Sequence, residues 1–254
     1  MSEEVLRDRE GHVEVLTINR PLARNAINLA TAQALSTALD ECTDDDDVWV
    51  VVLTGAEDKA FSAGMDLKAF AKGEFPATNQ GFGGITKRDF PKPLLGAANG
   101  SAFAGGFEML LSCDIVVAAD HALFGIPEVS RGLIAGAGGL IRLPRRIPRA
   151  VALEMALTGE ALSAQRAHEI GLINRVVPAA QVLSTAMELA QRICANAPLA
   201  VRMSKRVMLD AMDKSERDAW VLNDESFAEI ATSADALEGA VAFAERRPPQ
   251  WRGA

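Results

Sequence analysis

The chain has 254 residues, nearly half of them apolar, and a net charge of −8, which suits one large domain with a buried core and argues against general nucleic-acid binding. Cys42, Cys113 and Cys194 are odd in number and lack metal spacing, so they fit a reduced, cytoplasmic setting with no disulfide framework. Met1 to Glu10 is charged and lacks the apolar core of a signal peptide, and no apolar run is long enough to span a bilayer.

In chain order, Val13 to Ile18 alternates and reads as a strand closed by Asn19-Arg20-Pro21. Ala30 to Glu41 has helical periodicity, with Asn28 or Thr31 as N-cap. Thr43 to Asp47 is an acidic, solvated turn. Val48 to Leu53 is a continuous apolar run, as expected of a strand covered on both faces. In Phe61 to Lys68, Gly64 permits a sharp turn, and a helix begins from Met65 with Asp66 in its first turn. Phe70 to Arg88 holds five glycines and prolines and reads as a mobile lid or as a loop with one short helix. Its Gly81-Phe82-Gly83-Gly84 lacks phosphate-loop spacing and signals flexibility.

Pro93 to Asp120 is the densest stretch. It reads as a strand, a small-residue glycine turn at Ser101 to Gly106, a short apolar helix and a β-branched strand bounded by Asp114 and Asp120. A helix starting near Gly105 leaves its first N–H groups unpaired, and the glycines let a ligand approach the backbone closely. Glu108, at i+3 from Gly105, is the one carboxylate in the apolar run Phe107 to Cys113. Either it is used, because a bare buried carboxylate is costly, or it caps its own helix in a packing turn. Beyond Asp120, Gly136-Ala137-Gly138-Gly139 matches neither a dinucleotide fingerprint nor a Walker loop. Helices follow at Gly138 to Arg146, Ala150 to Thr158 (stopped by Gly159) and Ala164 to Ile170 (capped by Ser163, stopped by Gly171), then an extended link, Asn174 to Pro178. Only helices remain: Ala179 to Asn196, Pro198 to Ala211, Ser215 to Ala231 and Ser233 to Glu245. Alternating strands and helices point to an α/β core, and the all-helical tail marks a boundary near Ala195, dividing 1–195 from 196–254.

Several pieces, in order and spacing, carry a resemblance over nearly the whole chain: Arg24-Asn25-Ala26-Ile27, Ala60 to Leu67, Asn99 to Asp114, Phe124 to Glu128, Gly136 to Leu140, and Gly171 to Val177. The chain resembles the crotonase (enoyl-CoA hydratase/isomerase) superfamily. Phe61 to Ala69, Gly106-Phe107-Glu108 and the segment from Ala236 to Trp251 are similar to hydratases of the crotonobetainyl-CoA branch. The resemblance implies an α/β spiral of ββα repeats, with a C-terminal helical region that trimerises and trimers paired into hexamers. It implies an acyl-CoA thioester substrate, no metal or redox cofactor, and a lyase that hydrates a 2-trans-enoyl-CoA. The implied oxyanion donors are the backbone N–H groups of Met65 and Gly105, the implied catalytic pair is Glu108 and Glu128, and CoA is implied along Arg24, Ala26, Ala63, Met65, Asp66, Leu67, Lys68 and Gly105. A basic residue of the last helix, Arg246 or Arg247, is implied near CoA of a neighbouring subunit.

Other readings stay open at this level. Glu128 by itself is a helix-start residue after Pro127. Ala60-Phe61-Ser62-Ala63-Gly64 nearly matches the serine-hydrolase elbow, but Ala60 replaces its first glycine and His12, His121 and His168 lack partner spacing. A non-catalytic acyl-CoA-binding protein, or an isomerase, hydrolase or decarboxylase of the same superfamily, fits the same fold. The chain has no Tyr, and Trp49, Trp220 and Trp251 lie away from the lid. Phe70, Phe75, Phe82 and Phe90, with Glu74 and Asp89, are then the only groups near the lid for a quaternary ammonium. A plain acyl chain is the simpler expectation.

Overall fold

The computed structural model describes residues 3–253. A hairpin of β1 (Val5–Glu10) and β2 (Val13–Ile18) leads into α1 (Leu29–Asp44). Three ββα units follow: β3 (Val50–Gly55), β4 (Ala60–Ser62) and α2 (Leu67–Phe70); then, past the small hairpin of β5 (Ala77–Thr78) and β6 (Gly81–Phe82), β7 (Leu94–Ala98), β8 (Ser101–Phe103) and α3 (Gly105–Leu110); then β9 (Ile115–Ala119), β10 (Leu123–Gly125), a 3-10 turn at Pro127–Arg131 and α4 (Gly139–Arg146). Next come α5 (Arg149–Thr158), β11 (Leu162–Ser163), α6 (Ala164–Glu169), β12 (Arg175–Val177) and the helices α7 (Val182–Cys194), α8 (Pro198–Asp210), α9 (Glu216–Ala231) and α10 (Ala234–Glu245).

Each unit lays its first strand in a six-stranded sheet, order β1-β2-β3-β7-β9-β12, and its second in a four-stranded sheet, order β11-β10-β8-β4. Apart from the β1–β2 and β10–β11 pairs, neighbours in both sheets run parallel. This is the α/β spiral of ββα repeats. β3 is buried throughout, as its Val-rich run requires between two covering layers. On one side α7 lays Val182, Ala186 and Ala190, spaced four apart, onto the sheet. On the other, α3 comes so close that a Cβ at Gly96 of β7 would stand 2.7 Å from Leu110 Cδ2.

Local chemistry sets most boundaries. Asn28 caps α1 by accepting from Thr31 N, and Ser163, Ser215 and Ser233 cap α6, α9 and α10 in the same way. Gly159 closes α5 in the left-handed region at φ +73°. Four expectations change. Val5–Glu10, charged and read only for its lack of a leader, is an edge strand with five of six residues exposed; Arg7 and Arg9 both pair with buried Glu14 of β2. The link at 174–178 contains β12, which joins β9 in parallel. β4, β8 and β10, of three residues each, are too short to show a period. Gly81 to Gly84 is packed, not flexible: Phe82, Ile85 and Thr86 are buried, and a Cβ at Gly84 would stand 2.7 Å from the Ala32 carbonyl.

α8 is moored to the core by Lys205, whose Nζ donates to the Lys92 carbonyl and to Asp114 Oδ2 at 2.7 Å. Among the described residues of α8, α9 and α10 only Pro198, Ser226, Asp235 and Ala242 are buried, and Met208, Trp220, Val221, Phe227 and Phe243 are exposed.

β4 and α3 meet through glycine. A Cβ at Gly106 would stand 2.4 Å from the Ser62 carbonyl oxygen. Gly106→Ala should therefore destabilise the protein by about 2–3 kcal/mol, read as a lowered denaturation midpoint; a wild-type midpoint would show that this contact carries no constraint.

Candidate active site

Two backbone turns face each other. In the first, Gly64 adopts φ +86°, which suits glycine alone. The turn is clamped from three sides: Ile27 N donates to the Gly64 carbonyl at 2.8 Å, Asp66 N to the Ile27 carbonyl at 2.9 Å, and Ala63 N to the Arg24 carbonyl at 3.0 Å. Asp66 caps α2 by accepting from Lys68 N and Ala69 N, and its Oδ2 accepts from Arg20 at 3.0 Å. In the second turn Ala104 adopts φ +51°, ψ −133°, a conformation that costs an L-residue about 1–3 kcal/mol. This aims the Ala104 carbonyl into α3, where it accepts from Phe107 N and Glu108 N. A Cβ at Gly64, whose carbonyl carbon carries the Met65 nitrogen, would stand 3.1 Å from Gly105 N. Among the described residues neither the Met65 nor the Gly105 N–H has an acceptor. Two free donors thus lie together where two backbone turns are closely packed.

Glu108, one turn into α3, is buried. It does not cap its own helix. Its Oε1 accepts from Ala137 N and Gly139 N, both at 2.8 Å, and so caps the turn into α4. Burial pushes its pKa up, against those two N–H groups and the positive charge of Arg142. Glu128 is the second residue of the 3-10 turn, after Pro127, so the helix-start reading is correct as far as it goes. Its Oε2, however, is buried without a hydrogen-bond partner among the described residues. Burial, and then the nearby charge of Glu108, push its pKa up to about 7. Glu108 is anchored by two N–H groups of another turn, whereas Glu128 has one oxygen without a partner among the described residues and only its own backbone N–H as a hydrogen-bond donor lowering its pKa, so their proton affinities separate.

Arg24, Ala63, Leu67 and Lys68 are exposed on the first turn, and Ala26 is buried beneath it. Among the described residues the Arg24 and Lys68 side chains form no ion pair, whereas both Asp66 oxygens are already engaged within the turn. Arg20, whose guanidinium bonds Asp66 and the Ala26 carbonyl, was not expected from sequence, nor were the Ala137 and Gly139 donors to Glu108. Ser62 is buried and its Oγ accepts from Gly64 N. His12, His121 and His168 bond the carbonyls of Asp47, Asp58 and Ile173, so no hydrolase triad forms around Ser62. Among the described residues no group of His, Cys, Asp or Glu converges to hold a metal.

The family model described as enoyl-CoA hydratase/isomerase matches residues 8–254. Carnitinyl-CoA dehydratase of Salmonella arizonae is 40% identical over the full length of both chains. A crystal structure of enoyl-CoA hydratase from Mycobacterium tuberculosis superposes over the full length of both chains with a TM-score of 0.97 at 46% identity. One of carnitinyl-CoA hydratase from Mycobacterium avium does so with a TM-score of 0.81, also at 46% identity. The chain is an α/β lyase of crotonase fold. It belongs to the enoyl-CoA hydratase/isomerase family, whose members act on acyl-CoA thioesters.

The unpaired Glu128 carboxyl has a consequence for stability. Above the ordinary glutamate range the unfolded chain has ionised while the folded site still resists, so the wild type loses stability as pH rises toward about 7. Glu128→Gln removes that loss. The variant should be more stable than wild type by about 1–3 kcal/mol above neutrality and equal to it near about pH 4, as read from denaturation midpoints across pH.

Proposed function

We propose that this protein hydrates a 2-trans-enoyl-CoA, with Met65 and Gly105 N–H binding the thioester carbonyl oxygen and Glu108 and Glu128 handling the protons. The observation that carries this reading is the buried, partnerless Glu128 Oε2, proton-bearing near neutrality, in the same site as an anchored Glu108. As water adds to C3, charge moves onto the thioester oxygen, and each backbone donor there is worth about 3–4 kcal/mol. Glu108, held by one oxygen, accepts the proton of the attacking water with the other. Glu128, protonated, delivers a proton to C2. Arg24 and Lys68, free of carboxylate partners, meet the CoA phosphates. No metal or redox cofactor enters the step. Arg247 is committed to Glu238 and Glu245, which leaves Arg246 as the C-terminal candidate for a neighbouring subunit's CoA. Glu108→Gln and Glu128→Gln should each lower turnover at least about a hundredfold with acyl-CoA affinity little changed. Near-wild-type hydration by either variant would remove that residue from the mechanism. An isomerase works with one carboxylate, so loss of activity in Glu128→Gln alone, with double-bond migration as the product, would favour that reading.

The names of the relatives raise a carnitine-derived substrate as the second reading. The site favours a plain acyl group. Of the four lid phenylalanines, Phe82 packs on Gly105 and Phe90 is buried with its ring 5.7 Å from the Lys205 ammonium. Only Phe70 and Phe75 are left exposed, too few for an aromatic cage. Crotonyl-CoA should therefore be hydrated with higher kcat/KM than crotonobetainyl-CoA in direct competition, and preference for the cationic substrate would overturn this.

The protein works as a trimer or a hexamer of paired trimers, with 1–195 as catalytic core and 196–254 as assembly region. The exposed apolar side chains of α8, α9 and α10 are the support, since such surface needs a covering face. Light scattering should show no stable monomer at micromolar concentration. Buried, unpaired Cys42 and Cys113, with burial pushing their thiols to about 11 and about 12, suit a cytoplasmic setting, and no described helix is long and apolar enough to cross a membrane.

A further inference from the structure

Arg142 stands out because it lies among backbone carbonyls and has no acid. Its Nη2 donates to the Thr86 carbonyl at 2.7 Å and its Nη1 reaches the Ala137 carbonyl at 3.5 Å. Among the described residues it makes no ion pair. The two carbonyls belong to different walls of the site. Thr86 follows Phe82, whose ring would stand 2.5 Å from a Cβ at Gly105. Ala137 begins the turn whose N–H groups hold Glu108. That turn is shaped around the guanidinium: Gly138 sits at φ +110°, and a Cβ there would stand 2.3 Å from Arg142 Nη1. A partly buried guanidinium without a carboxylate is unfavourable unless the site itself supplies negative charge, and Glu108 is the acid whose charge it feels.

We propose that Arg142 is a positioning residue for Glu108, tying the Thr86 and Ala137 carbonyls together so that the turn at Ala137 to Gly139 presents its two N–H groups to that carboxylate. The inference rests on the hydratase reading for its effect on turnover, but not for its effect on Glu108. Charged groups surround the pair from several elements, and Arg88, Asp89, Asp114 and Lys205 line the same cavity as Arg142 and Arg146. Arg142 and Arg146 face it from α4, with Arg146 opposing the charge of Arg142. Glu128 comes from the 3-10 turn, with Arg131 of the same turn acting on it, and Cys113 acts on Arg142. Removing the cation and slackening the turn both favour the protonated form of Glu108.

The test uses the full assembled protein. The protonation of Glu108 is followed by pH-difference infrared spectroscopy, with its carboxyl band identified by its loss in Glu108→Gln. In Arg142→Gln the midpoint should rise by about one pH unit. The acid limb of kcat should rise with it, and kcat at neutral pH should fall about tenfold, with KM changed less than about threefold. Arg142→Lys keeps the charge but not the fork, so its midpoint should stay near wild type while kcat falls at least about fivefold. An unmoved midpoint in folded Arg142→Gln overturns the proposal. Where Arg142→Gln does not assemble, Arg142→Lys decides, and wild-type kcat in that variant overturns it. Should the wild type hydrate no enoyl-CoA, the hydratase reading fails while the infrared midpoints still judge Arg142.

Discussion

The structure depends on two places where backbone touches backbone because a side chain is missing. Gly106 lets the first turn of α3 lie on the Ser62 carbonyl, and Gly64 lets the turn after β4 lie against Gly105 N. The four-stranded sheet aligns β4 beside β8, so successive repeats of the spiral leave it at neighbouring points, and the glycines close the remaining gap. A methyl group at either position would drive the turns apart. The unpaired N–H groups of Met65 and Gly105 exist as a pair only because of this contact, and Glu108 follows three residues after Gly105 on the same helix.

Polar groups that a folded chain ordinarily satisfies are here left open on the same small surface: two backbone donors and one carboxyl oxygen. Each raises the free energy of the empty site. The donors suit an oxygen that gains negative charge, and in a water-poor site they act with little reorganisation. The two carboxyls differ in their support. Glu108 is held by two N–H groups and faces Arg142, whereas Glu128 keeps one oxygen unpartnered among the described residues and lies within the field of Glu108. That asymmetry sets the proton affinities of the two carboxyls apart without any difference in residue type. The strain at Ala104 and the raised pKa of Glu128 belong to the same pattern, in which stability is given up where chemistry occurs.

Much of this was legible in the residues. Caps such as Asn28, Ser163, Ser215 and Ser233 act within three residues of themselves, so helix starts could be read directly. The apolar run at β3 and the stop at Gly159 are equally local. The spiral and the candidate pair came through resemblance, because nothing local links Glu108 to Glu128. What escaped reading is what depends on distant partners. β1 is an edge strand, and its charged side chains hide any alternation. Gly81 to Gly84 looked loose because its tightness is set by Ala32, Ser36 and Met109, far away in sequence. The partners of Glu108 lie 29 and 31 residues downstream in a glycine run that matches no phosphate motif. Arg142 gave no signal in the sequence, because its two carbonyl partners are contributed by Thr86 and Ala137.

The central claim is that Met65 and Gly105 polarise a thioester carbonyl. It is tested most directly by the vibrational frequency of that carbonyl in a bound, unreactive acyl-CoA, isotopically labelled at the thioester carbon. Two aligned donors weaken the C=O bond, so the stretch should move to lower frequency on binding, and the shift should shrink in Gly106→Ala, where the turns are forced apart. A bound carbonyl that vibrates as it does in water would contradict the account.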